Sequence, residues 1–180
     1  MNKFLIVIIL ISTIFSQSFK DLTERPTYNP IKIEKPIIFD GAVDNQEWSK
    51  AQIATNFNGS GTFQGQPSDL RTEARLFYDE KNIYVGFIAY VDKEDLRYSI
   101  TKRDNLDEKD DRVWINIDAF DDEALTYGIG VSAGGVQIDG RATYGFDKSL
   151  DLIYESKVSV YNDRYEAELI IPFSSLRYSL

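Results

Sequence analysis

The chain has 180 residues, 29 acidic against 20 basic, for a formal charge of −9, with no His, no Cys and its only Met at position 1. Those absences exclude Cys/His zinc sites, iron–sulfur clusters and Cys-anchored haem, and also Ser-His-Asp or Cys-His nucleophile pairs. Chemistry would have to rest on carboxylates, Tyr, Lys or a hard cation held by oxygen, and the acid excess speaks against nucleic acid, whose partners carry a basic stripe.

In chain order, Met1-Asn2-Lys3 gives a short basic start and Phe4–Ile11 is an unbroken apolar run, followed by Ser16-Gln17-Ser18. Charged start, apolar middle and small-x-small exit are the order of a secretory signal peptide, and the apolar run is shorter than the roughly 20 residues that span a bilayer. The expectation is a signal peptide over residues 1–18 and an exported protein that is periplasmic, outer-membrane-associated or extracellular. No Cys follows the apolar run to carry a lipid anchor. Residues 19–36 carry Pro26, Pro30 and Pro36 with no sustained period, so they read as an extended lead-in or an edge strand.

From Ile37 the pattern is β, and residues 37–180 read as one domain. Thr72–Tyr78 alternates, Asp79-Glu80-Lys81-Asn82 is a polar turn, and Asn82–Asp92 puts Ile83, Val85, Phe87, Ala89 and Val91 on one face. Arg112–Asp118 places Val113, Ile115 and Ile117 inward, with Trp114, Asn116 and Asp118 opposite. Gly134-Gly135 separates two strand-like runs, and Asn162-Asp163 precedes Arg164–Ile171, where Tyr165, Ala167, Leu169 and Ile171 share a face against Arg164, Glu166 and Glu168. Period-two alternation marks strands with one face on a core, and short strands at regular spacing predict an all-β sandwich, jelly-roll-like. The one helix candidate is brief: Asp44 as cap, Glu47 three residues on, then Trp48 as a packing anchor.

Two clusters carry possible chemistry. Acidic residues crowd the stretch from Asp104 to Glu123; Asp107, Asp110 and Asp111 are calcium candidates because several carboxylates on adjoining loops suit a hard cation. The competing reading is a solvated acidic loop, and the EF-hand spacing fails because Leu106 occupies a ligand position. Glu166 and Glu168 could in principle serve a carboxylate-based glycosidase, but on a strand's polar face solvation is the default. Trp114 shares its face with Asn116 and Asp118, and an exposed Trp ring beside amide and carboxylate groups suits a pyranose: the ring covers its C–H side and the polar groups take its hydroxyls.

Four segments in order carry a resemblance. Ile38-Phe39-Asp40-Gly41-Ala42-Val43-Asp44-Asn45-Gln46-Glu47-Trp48, Arg75–Val85, Asp111–Asp118 and Glu166–Phe173 together resemble the family 9 carbohydrate-binding modules. The ending Ile170–Tyr178 and the pair Arg103-Asp104 resemble most closely a subgroup at the N-terminus of exported bacterial proteins, ahead of a membrane-type β-barrel region. The resemblance implies a β-sandwich that binds polysaccharide or oligosaccharide of the xylan or glucan type. It would act without catalysis, as the N-terminal module of a larger protein associated with glycoside hydrolase activity.

Trp114, Asn116, Asp118 and Arg103 are the candidate sugar contacts, and no cofactor is implied beyond a possible calcium. The family's two-Trp clamp is not matched: Leu106–Asp110 has no aromatic, and the later clamp strands are expected beyond Leu180, as is a downstream domain. Trp114 stands where the family has an acidic sugar contact. The alternative is a structural sandwich that packs on a downstream barrel without sugar.

Overall fold

The computed structural model describes residues 26–43, 46–59, 65–121, 124–143 and 145–176. The expected signal peptide, residues 19–25 of the lead-in and the Asp44 cap lie outside the described residues.

Among the described residues nine strands form two sheets. They are β1 (Ile31–Lys32), β2 (Thr72–Tyr78), β3 (Asn82–Tyr90), β4 (Arg112–Ile117), β5 (Thr126–Ser132), β6 (Gln137–Ala142), β7 (Phe146–Asp147), β8 (Glu155–Val160) and β9 (Arg164–Pro172). One sheet has the order β1-β2-β3-β9-β8 and the other β4-β5-β6-β7. All pairings are antiparallel except β1 with β2, where Ile31 and Lys32 run parallel to Phe77 and Tyr78. The late lead-in is thus an edge strand.

The alternation read from the sequence is the alternation that packs. Val85, Phe87, Tyr165, Ala167, Leu169 and Ile171 of the first sheet meet Val113, Tyr127, Ile129 and Val131 of the second in one core between the layers. The turns follow their side chains. Asp79 accepts hydrogen bonds from the backbone N–H of Lys81 and Asn82, both at 2.7 Å, and from the Tyr84 hydroxyl, also at 2.7 Å. Between β5 and β6, Gly135 has φ 81° and its N–H bonds back to the Ser132 carbonyl, a left-handed geometry that glycine adopts without a Cβ clash.

Glu166 and Glu168 are the main correction to the sequence reading. Their face of β9 is not solvated: the two residues are 1% and 0% exposed. A strap, described over residues 37–43 and 46–51, crosses the outer face of the first sheet. Its Val43, Trp48 and Ala51 build a second cluster with Phe77, Tyr84 and Ile88, and Trp48 stacks on Phe77 at 5.1 Å. Glu168 Oε2 accepts the backbone N–H groups of Asp40 (2.9 Å) and Gly41 (2.7 Å), while Oε1 accepts the Trp48 indole N–H (2.9 Å). Glu166 Oε2 takes the Val43 N–H at 2.6 Å, and its Oε1 takes Arg164 Nε at 2.7 Å. Buried carboxylates are tolerated where such donors meet their oxygens. Gly86 completes the fit, since a Cβ there would lie 2.8 Å from Val43 and 3.1 Å from the Trp48 ring. The expected helix is a single 3-10 turn, Glu47–Lys50, that delivers Trp48 as the packing anchor.

Candidate functional site

Because β4 packs through Val113, Ile115 and Ile117, its other face presents Arg112, Trp114 and Asn116 outward. Trp114 is 38% exposed, whereas the only other Trp of the chain, Trp48, is fully buried. The register explains how so large a ring lies on a sheet. Trp114 pairs with Gly130 and Asn116 with Gly128, and those glycines pair in turn with Ile138 and Gly140 of β6. With no side chains at 128, 130 and 140, the sheet leaves a shallow floor for neighbouring rings. A Cβ on Gly128 would meet Phe146 at 3.0 Å, Asn116 Oδ1 at 3.3 Å and Trp114 Cη2 at 3.4 Å. One on Gly130 would lie 2.4 Å from Trp114 Cβ, and one on Gly140 2.8 Å from the Phe146 ring. Phe146 of β7 therefore joins Trp114, their ring centroids 5.2 Å apart at a 40° tilt.

Clefts flank this aromatic pair. One, of about 480 Å³, is lined by Arg112, Trp114, Ile138, Phe146 and Lys148. On the opposite side of Trp114 a second, of about 500 Å³, opens toward Phe57, Leu70, Tyr90 and Asp111. An apolar ring edged by amide and charged groups, with room on either side, is suited to a ligand with alternating C–H and hydroxyl faces.

The sequence-predicted residues divide. Trp114 and Asn116 converge over Gly128. Asp118, just past the strand, turns its Oδ1 to the backbone N–H of Phe120 and Asp121, at 3.1 and 2.9 Å; it organises a turn. Arg103 is not brought to this face. It enters at the edge of β6 on the core side, where Nε bonds Asp139 Oδ1 at 2.7 Å, Nη1 bonds Gln137 Oε1 at 2.9 Å and Nη2 bonds the Leu152 carbonyl at 2.6 Å. Its guanidinium also lies 5.1 Å from the Tyr154 ring centroid. Asp139 shares a register position with core residue Ile129 and is fully buried. Burial pushes its carboxyl above the usual range, against the opposing pull of the Leu152 N–H and Arg103. Arg103 is the counter-ion of a buried carboxylate.

The calcium candidates also resolve into local structure. Asp107 accepts the Lys109 N–H, Asp110 the Asp107 N–H and the Ser99 hydroxyl, and Asp111 the Arg97 N–H. Among the described residues the carboxylates that do approach one another are Asp40, Glu47 and Glu168, with one oxygen from each within 4.8 Å of the others. Both Glu168 oxygens already accept strap N–H groups. Its carboxyl is raised above 4.5, first by burial and also by the Asp40 charge, with the Gly41, Trp48 and Asp40 hydrogen bonds acting the other way.

Phe146, Arg112, Lys148 and the glycine floor were not singled out from the sequence. The signal was present as Gly128 and Gly130 two residues apart, with Gly140 on the next strand, which marks a sheet face stripped of side chains so that something else can lie on it.

Fold and site thus define a two-layer β-sandwich domain with an exposed aromatic platform. The carbohydrate family 9 binding domain-like family matches residues 38–179, and the chain belongs to that family. A family 9 carbohydrate-binding module from Caldicellulosiruptor kristjanssonii, solved with cellotriose, has a similar fold: TM-score 0.55 at 19% identity, covering 81% of this chain and 67% of that one. The glucose complex of a family 9 module from the same organism gives a TM-score of 0.57 at 19% identity, with 86% and 72% covered. No curated protein matches the chain.

Proposed function

We propose that the domain binds saccharides without transforming them, through the platform of Trp114, Phe146 and Asn116. The observation that carries this reading is the outward Trp114 ring, seated on a glycine floor beside Phe146 and Asn116. Family membership and the structures with cellotriose and glucose support it. The finer reading is a binding module of a larger exported protein, placed near xylan or glucan during its breakdown. The leader-like pattern of residues 1–18 and the sequence resemblance support that part.

Because Trp48 is sealed between the strap and the first sheet and Trp114 is outward, intrinsic fluorescence reports the site selectively. Titration with glucose, cellotriose and xylotriose is expected to shift the emission of the wild type, and Trp114→Ala is expected to abolish both the shift and the binding heat. A flat response to all three sugars by fluorescence and calorimetry would sink the proposal. N-terminal mass analysis of the protein recovered from the cell envelope tests the export reading, with loss of about 18 residues expected.

A further inference from the structure

The cleft bounded by Trp114 and Phe146 holds a charge that the rest of the molecule does not prepare for. In a chain of net charge −9, its charged lining among the described residues consists of Arg112 and Lys148, with no carboxylate beside them. Neither cation is in an ion pair among the described residues, whereas Arg71, Arg75, Arg103, Arg141 and Arg164 are; what sets the two apart from other unpaired cations such as Arg97 is that they share one cleft with Trp114 and Phe146. Among the described residues Arg112 Nη2 reaches the Glu108 carbonyl and Lys148 Nζ the Asp104 carbonyl, each at the long distance of 3.5 Å. The nearby Asp147 carboxylate is engaged elsewhere, by Arg141 at 3.2 Å and by the Ser149 N–H at 2.9 Å. Two cations without counter-ions, beside an aromatic pair that would take a pyranose face, form a receptor for a sugar that carries an anion. A guanidinium can grip a planar carboxylate through two N–H donors, and an ammonium adds a point charge.

Resting on the saccharide-binding reading above, we infer that the cleft selects acidic sugars, with a uronic-acid carboxylate between Arg112 and Lys148 and the sugar ring over Trp114. Sulfate esters share the anionic chemistry, and the test separates the two. Affinities are measured by calorimetry for cellotriose, a glucuronic-acid-substituted xylotriose, trigalacturonate and a sulfated galactose disaccharide. The two uronic-acid ligands are expected to bind about tenfold more tightly than cellotriose at 20 mM NaCl, the scale of two exposed charge contacts. At 0.5 M NaCl, where strong screening shortens the reach of exposed charges, the ratio is expected to fall toward one. Arg112→Gln and Lys148→Gln should each lower the ratio of acidic to neutral affinity, and the double variant should bring it near one.

If cellotriose binds and the uronic-acid sugars bind no better, the charge inference is wrong and the saccharide reading stands. Tightest binding of the sulfated sugar overturns the carboxylate assignment. If no saccharide binds, both readings fall.

Discussion

Removing the Glu168 carboxylate is expected to unfasten the strap. In Glu168→Ala the backbone N–H of Gly41 and the indole N–H of Trp48, now 2.7 and 2.9 Å from carboxylate oxygens, lose their acceptors in a buried setting, and the Asp40 N–H loses its own. An orphaned buried donor costs about 1–3 kcal/mol, so the two fully buried donors suggest about 4 kcal/mol, within the range for breaking a buried charged network. For a domain of this size, about 2–4 °C of melting temperature accompanies each kcal/mol, so the midpoint should fall by about 8–16 °C. The assay is best run in a Trp114→Phe background, where Trp48 is the only indole; its emission should shift to the red as the strap loosens. Amide exchange at Gly41 and Val43 should accelerate together, since Glu166 holds the Val43 N–H alongside. A midpoint within about 2 °C of the parent, with Trp48 emission unchanged, would refute the claim that this carboxylate clasps the strap.

Other expectations follow from the same structure. Arg103→Leu strands the buried Asp139 carboxylate and should destabilise the domain by about 3 kcal/mol while leaving saccharide affinity within about twofold, because Arg103 lies on the core side of the sheet; calorimetry and thermal melts decide both halves. The raised Glu168 carboxyl binds its proton more tightly folded than unfolded. Its contribution is therefore full below 4.5 and is lost as pH rises through the folded value. Across pH 4 to 7, the stability difference between wild type and Glu168→Ala should shrink as pH rises, and a difference that grows would contradict this sign. Asp79 works in the opposite direction. Burial raises its carboxyl, but hydrogen bonds from Tyr84, Lys81 and Asn82 outweigh it and hold it below 3.8, so Asp79→Ala should narrow the loss of stability on acidification below that value.

At the platform, Gly130→Ala should be the more disruptive glycine change. Its Cβ would meet Trp114 Cβ at 2.4 Å and the Val113 carbonyl at 2.5 Å, so backbone must move, at about 2–3 kcal/mol. Gly128→Ala, with contacts of 3.0–3.4 Å to side chains, should cost about 1 kcal/mol but still weaken sugar binding by displacing Trp114 and Phe146. Urea melts and sugar titrations of the two variants give the ranking.

The strands were legible in the sequence because their signal is local: alternation at period two over Thr72–Tyr78, Asn82–Asp92 and Arg164–Ile171 states which residues share a face, and the core took those faces. The outward position of Trp114 followed from the same rule, as did the turns at Asp79 and Gly135, whose geometry depends on a few adjacent residues. What alternation cannot state is whether the second face of a strand is wet. On β9 that was decided by the strap, whose Gly41 N–H meets a carboxylate 127 residues away in the chain, and on β4 by glycines of two other strands. The same long-range pairing drew Arg103 inward to Asp139, 36 residues away, and among the described residues left Arg112 and Lys148 without a counter-ion beside Trp114. Composition showed at once that no His or Cys chemistry was available. Only the tertiary structure decided which carboxylates the fold keeps for itself and which cations it leaves at the platform, because burial and pairing are set by segments that alternation along one strand does not see.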